Sequence, residues 1–263
     1  MPMPSLLLAL AACAPAPDAS EDFSDAAQGA LAHFDDADPT EVIAAVLALE
    51  AQVDAAVDTT AEDFNERGMT PGRLEARALV GLTRPDRDPA LGTPVTLSWL
   101  SPYPPSQHDS IVLLDDLTPV EPASPEQYDR TFAEGRDCYP TTCEFARTTN
   151  VVIRENLLFT MEQVVKKDFR SLDAEGRALR VSRGWFEAPE SNAEGTATIE
   201  QSYTIELWLE QGQGALRVQV TWVETVFTEF EADDALVAAT LRLGIDGQFD
   251  AHDAWLAEQA AAD

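Results

Sequence analysis

The chain has 263 residues, with 47 acidic against 17 basic side chains and a formal charge of −30. A hydrophobic fraction of 45% with 8% aromatics excludes an acidic disordered chain and supplies a buried core, in one large domain or two small ones. The charge excludes nucleic acid as a partner, because that affinity comes from Lys and Arg displacing counterions.

Residues 6–12, Leu-Leu-Leu-Ala-Leu-Ala-Ala, form an apolar run. It is shorter than the about 20 residues that span a bilayer and reads as the core of an export signal. The run ends in Leu10-Ala11-Ala12-Cys13, and here the leader resembles that of bacterial lipoproteins. In that family two small residues precede a Cys that is diacylated and becomes the mature N-terminus. The resemblance is confined to residues 1–13. It implies a signal peptide over 1–12, a lipid on Cys13, a membrane partner reached through that lipid, and, with Ala14 rather than Asp next, sorting to the outer membrane. Met1 to Ser5 departs from the pattern in carrying no Lys or Arg, which leaves the start of the leader open. Ala14 to Asp22 is small, polar and Pro-containing, and reads as a tether. Acyl chains at about 0.8 kcal/mol per buried methylene hold an acidic body even against anionic lipid, so anchoring needs no basic surface. The acid surplus is then a solvation trait rather than a clue to activity.

From residue 23 to 263 the chain reads as one α+β domain, a curved antiparallel meander packed on N- and C-terminal helices. Phe23, Ala27, Ala30, Leu31 and Phe34 share one helical face, so a short helix is expected over 24–34. A second begins at Asp38-Pro39-Thr40-Glu41, with Asp38 as cap and Pro39 pre-set for the first turn, and Val42, Val46, Leu49, Val53 and Val57 form its stripe. The acids at 35, 36, 38 and 41 lack the Gly of a calcium loop and read as cap plus solvated charge. Alternation predicts strands over 74–82 and 95–99, and the apolar run 111–114 a further buried strand.

Residues 115–150 carry four prolines and both remaining cysteines, and read as a long loop excursion or lid. Cys138 and Cys143 lack the partners of a zinc site, and in an oxidising envelope they are expected to close a disulfide loop. No metal and no cofactor is expected. Four long alternating segments follow, Leu157–Phe169, Ala178–Phe186, Thr198–Glu210 and Leu216–Phe227, joined by hairpin turns. Helical segments around 235–243 and 250–261 close the chain.

None of the acyl-transfer, zinc-protease, phosphate-loop or dinucleotide motifs is present, and His108-Asp109 reads as an exposed loop pair, so no catalytic residue is assigned. Alternation places Gln163 and Lys167 among apolar residues of the first long strand, Arg183 and Trp185 on the second, Tyr203 on the third, and Trp222 and Glu224 on the fourth. If these share a face, Lys167 or Arg183 holds an anionic group while Trp185, Tyr203 and Trp222 contact an apolar body and Glu224 lies nearby. The competing reading is an internal Arg183–Glu224 or Lys167–Glu224 pair. Residues 147–183 hold eight basic side chains against five acidic ones, a local charge of +3. Lys166, Lys167, Arg170, Arg177 and Arg180 therefore form a candidate patch for an anionic partner, or they pair with the protein's own acids. The resulting expectation is an envelope lipoprotein that binds an apolar or amphiphilic ligand or an envelope protein. A structural assembly lipoprotein and a carboxylate-dependent envelope hydrolase stand as alternatives.

Overall fold

A computed structural model describes residues 19–56, 71–155, 159–229 and 232–262. The lipobox leader and Cys13 lie outside the described residues. The helices are α1 (Ala19–Ala32), α2 (Thr40–Ala56), α3 (Pro105–Val112) and α4 (Asp234–Ala262). The strands are β1 (Thr93–Ser101), β2 (Gln127–Glu134), β3 (Phe145–Glu155), β4 (Thr160–Ala174), β5 (Arg177–Trp185), β6 (Glu190–Ser191), β7 (Ala197–Gln211) and β8 (Gly214–Phe227). All pair antiparallel in one sheet, in the order β1-β8-β7-β5-β4-β3-β2, with the short β6 on β7. The fold is the expected α+β meander between N- and C-terminal helices.

Asp38 does cap α2: its Oδ1 accepts from the Thr40 backbone N–H at 3.0 Å and from the Thr40 hydroxyl at 2.6 Å. Several boundaries differ from the sequence reading. α1 takes in Ala19 to Asp22, which reads as tether in the sequence. Residues 74–82 hold a 3₁₀ turn at Ala76–Leu79 instead of a strand, because Gly81 takes a positive φ of 85° and turns the chain. The run 111–114 finishes α3 rather than forming a strand. The 115–150 stretch is only partly loop, since it supplies β2 and the start of β3, with the Cys138–Cys143 disulfide in their connection. The two closing helical segments are one helix, α4.

The sheet is covered on both faces. Over one face lies the α1–α2 pair, whose Phe23, Leu31, Val46 and Leu49, with Phe34 from their connection, are buried with Val181, Ile205, Leu207, Val218 and Trp222 of β5, β7 and β8. Residues 71–92 extend this cover. The Trp222 indole donates to the Gly72 carbonyl at 2.9 Å and the Trp185 indole to the Thr83 carbonyl at 3.0 Å. On the other face α4 packs Ile245 and Phe249 against Val95 of β1, while α3 is tied to β5 by Asp109 and Arg180. Between α4, α3 and the loop at 121–123 this second face is left partly uncovered by helix. Ten consecutive residues at the start of β8 are buried, as befits a strand covered on both sides.

Candidate functional site

The uncovered part of the second face is a cavity of about 560 Å³, within the range of small-molecule sites. Its floor follows from strand register. Lys167 lies opposite Gly184, Gly184 opposite Thr204, and Thr204 opposite Thr221, so one row of the sheet presents Lys167, Thr204 and Thr221 upward. One row outward Val165 and Val223 line it, with Phe186 and Ser202 beside them. Leu241 and Gly244 of α4 form the roof, and Glu121, Arg154 and Gln163 line the wall toward β2 and β3. Phe159, Phe227 and Leu243 add apolar surface, and Leu243 is exposed. A void of about 20 Å³ adjoins and shares Glu121, Lys167 and Gln248 with the large one.

Of the expected ligand face, Gln163 and Lys167 of β4 are the residues whose side chains belong to the cavity face. The turn joining β4 and β5 has two residues, Glu175 and Gly176, with φ of 57° and 82°. Such a turn pairs Ala174 with Arg177 and puts odd-numbered residues of β4 on the same face as even-numbered residues of β5. Arg183, Tyr203, Trp222 and Glu224 consequently face α1, α2 and residues 71–92, as packed core rather than ligand wall. Arg183 donates to Asp168 at 2.8 Å and lies 4.5 Å over the Phe34 ring. Tyr203 and Trp222 are buried in the main core, and Glu224 binds Arg87. Trp185 touches the cavity, but its indole points to the packed face. Neither Arg183–Glu224 nor Lys167–Glu224 is a pair.

The basic stretch is absorbed internally. Lys166 meets Glu187 at 3.5 Å, Arg177 grips Glu50 of α2 at 2.6 and 2.8 Å, and Arg180 grips Asp109 at 2.7 and 2.8 Å. Arg170 bonds Glu144 and reaches the carbonyls of Phe34 and Asp36 at 2.7 and 2.9 Å. The local +3 thus ties the sheet to the acidic helices and loops around it.

Beside the cavity, on the same face of the sheet, lies an ionic cluster that sequence reasoning missed. Glu206 is shared by Lys167 at 3.3 Å and Arg217 at 2.9 Å. Arg217 also donates to His252 Nδ1 at 3.2 Å and stacks 3.8 Å over Phe249. Glu121 accepts from Gln248 at 2.7 Å, with His252 Nε2 at 3.9 Å and Arg154 Nη2 at 4.0 Å. Burial pushes the Glu206 carboxyl up, but Lys167 and Arg217 outweigh it and hold the group below its ordinary range. Glu121 is lowered likewise by His252, Arg154 and Lys167 against its own burial.

His108, expected exposed, is buried on α3, and burial with the nearby Arg217 and His252 pushes it down to about 2. His252 is lowered for the same first reason. Ser101 Oγ donates to Asp253 at 2.6 Å and so must accept from His108 Nε2 at 3.1 Å. The carboxylate holds the serine rather than orienting the imidazole, so this is a brace between β1, α3 and α4 and not a nucleophile with its base.

His108 stays neutral when folded and His252 is held below its ordinary value by burial, whereas the unfolded chain protonates both near pH 6.5. The unfolded state binds the extra protons, so stability falls as pH drops below 6.5, by up to about 1.4 kcal/mol per pH unit for His108 and in the same direction for His252. The depressed Glu206 and Glu121 add loss in the same direction at lower pH. The urea midpoint is expected to be lower at pH 5.5 than at pH 7, and His108→Gln is expected to reduce that slope. An equal slope in the variant would contradict the neutral buried imidazole.

Fold and site together define an α+β protein with a ligand-sized cavity between its sheet and its C-terminal helix. No family model and no curated protein sequence matches the chain. Among solved structures, TTHA0849 from Thermus thermophilus aligns with 65% of this chain and 99% of its own, at TM-score 0.40 and 16% identity. The STAR-related lipid transfer protein from Xanthomonas axonopodis aligns with 61% of this chain and 84% of its own, at TM-score 0.39 and 9% identity. Ara h 8.0201 aligns with 63% and 97%, at TM-score 0.36 and 15% identity.

Proposed function

We propose that this protein is a lipid-anchored envelope protein that binds an apolar or amphiphilic ligand between its sheet and α4. The cavity of about 560 Å³ carries this reading, because its outer walls are Phe159, Phe186, Val223 and Leu241 while its inner wall is polar. Burial of apolar ligand surface at about 25 cal/mol per Å² supplies the affinity, and the polar wall orients the ligand. The lipid on Cys13 and the tether after it hold this carrier at the membrane, where amphiphiles are concentrated.

Titration with N-phenylnaphthylamine, a neutral apolar fluorophore, is expected to saturate at one site per chain with a blue-shifted emission. A signal no larger than that of unfolded protein would remove the ligand reading. Intact mass of envelope-purified protein tests the anchor separately. Acyl mass on a chain beginning at Cys13, lost in Cys13→Ser, is expected, and an unmodified N-terminus would contradict it.

A further inference from the structure

The wall of the cavity sorts ligands by head-group charge. Its charged side chains are Glu121, Arg154, Glu155 and Lys167, two of each sign. Lys167 is already engaged by Glu206 at 3.3 Å. Glu121 and Arg154 are not closed on each other: Oε2 and Nη2 stand 4.0 Å apart, beyond hydrogen-bond length, and Glu121 is 3% exposed. Among the described residues the buried Nε of Arg154 has no hydrogen-bond partner. A buried carboxylate facing a guanidinium across such a gap is an incomplete pair, and a group inserted there has to accept from one side and donate to the other.

A hydroxyl does both with one atom. An oxygen about 2.8 Å from each of two atoms 4.0 Å apart subtends an angle of roughly 90° between them, which hydroxyl geometry permits. A carboxylate head placed there confronts Glu121, whose charge, among the described residues, no cation meets more closely than Arg154 at 4.0 Å. An ammonium head confronts Arg154 and Lys167. The first repulsion acts at a buried carboxylate, where charges are weakly screened, and the second at the half-buried Arg154 and Lys167. Gln163 stands on the same wall with its amide nitrogen on the Met161 sulfur at 3.8 Å, a weak partner that a second polar atom of the ligand can replace.

We infer that the ligand is an uncharged amphiphile whose hydroxyl enters the gap between Glu121 and Arg154, with its apolar body toward Phe159, Phe186 and Leu241. This rests on the ligand-binding reading of the cavity above.

The test uses three probes with one tail, dodecanol, dodecanoate and dodecylamine, competing with N-phenylnaphthylamine at neutral pH. Dodecanol is expected to bind at least about tenfold more tightly than either charged probe, the discrimination one hydrogen bond to a charged group supports. Glu121→Gln keeps the side-chain shape and the Gln248 contact but removes the charge. It is expected to weaken dodecanol while strengthening dodecanoate, a change of opposite sign that general destabilisation would not produce. Should that variant fail to fold, Arg154→Met, at a side chain 34% exposed, is expected to weaken dodecanol and ease entry of dodecylamine. A wild-type protein that binds dodecanoate or dodecylamine as tightly as dodecanol overturns the inference, as does an order of affinities unchanged in the variants. If the fluorophore saturates but none of the three displaces it, the inference is likewise overturned, whereas a fluorophore that does not saturate removes the ligand reading itself.

Discussion

Gly244→Phe is expected to abolish ligand binding, lowering affinity for a neutral apolar probe by more than about a hundredfold, while leaving the fold intact. Gly244 sits within α4 at the cavity roof, and an added Cβ there meets no atom within 4 Å. A phenyl ring therefore enters space that the ligand would occupy, without pressing on backbone. Glycine inside a helix is about 1 kcal/mol less favourable than alanine, so replacing it offsets part of any packing strain. The expected result is an unfolding midpoint near that of the wild type together with lost fluorophore saturation. A variant that binds the probe unchanged would place the ligand elsewhere. Gly247, one turn on in the same helix, is the control: its added Cβ meets Pro122 at 3.8 Å, ordinary contact, and Gly247→Ala is expected to bind normally.

Glu206→Gln is expected to destabilise the protein by about 3–5 kcal/mol, the range for a buried ion pair that loses one partner. The substitution preserves size but leaves Lys167 and the fully buried Arg217 without their shared carboxylate. Among the described residues Nε and Nη1 of Arg217 have no hydrogen-bond partner, so the contacts left to that guanidinium are His252 and the Phe249 and Trp208 rings. Lys167→Met is the contrasting case. It leaves Glu206 bonded to Arg217 and is expected to cost less than half as much. Urea unfolding reads both, and equal losses in the two variants would mean that Arg217 does not depend on Glu206.

The sheet, its hairpins and the helices at both ends are visible in the period-two and period-3.6 patterns, because each buried stripe is continuous in sequence. The cavity is less visible for a physical reason. On β8 the residues Arg217, Gln219 and Thr221 alternate with Leu216, Val218 and Val220, which in sequence looks like a wet face and a dry one. Here both faces are buried, and the polar one lines the cavity and carries the ionic cluster beside it. The side of the sheet on which Lys167 lies depends on how many residues the β4–β5 turn contains, and a difference of one inverts every side chain. Glu121, Arg154, His252 and Gln248 come from a loop, an outer strand and one helix, and no spacing links them. Their only sequence signal is indirect: α4 carries Gly244 and Gly247 in mid-helix, where glycine marks close approach or open space.

The most direct test is native mass spectrometry of the protein purified from its own envelope fraction, wild type beside Gly244→Phe. The wild type is expected to carry one non-covalent companion of constant mass per chain, released on unfolding and absent from the variant. Two bare chains, or the same companion on both, would contradict a ligand held between the sheet and α4.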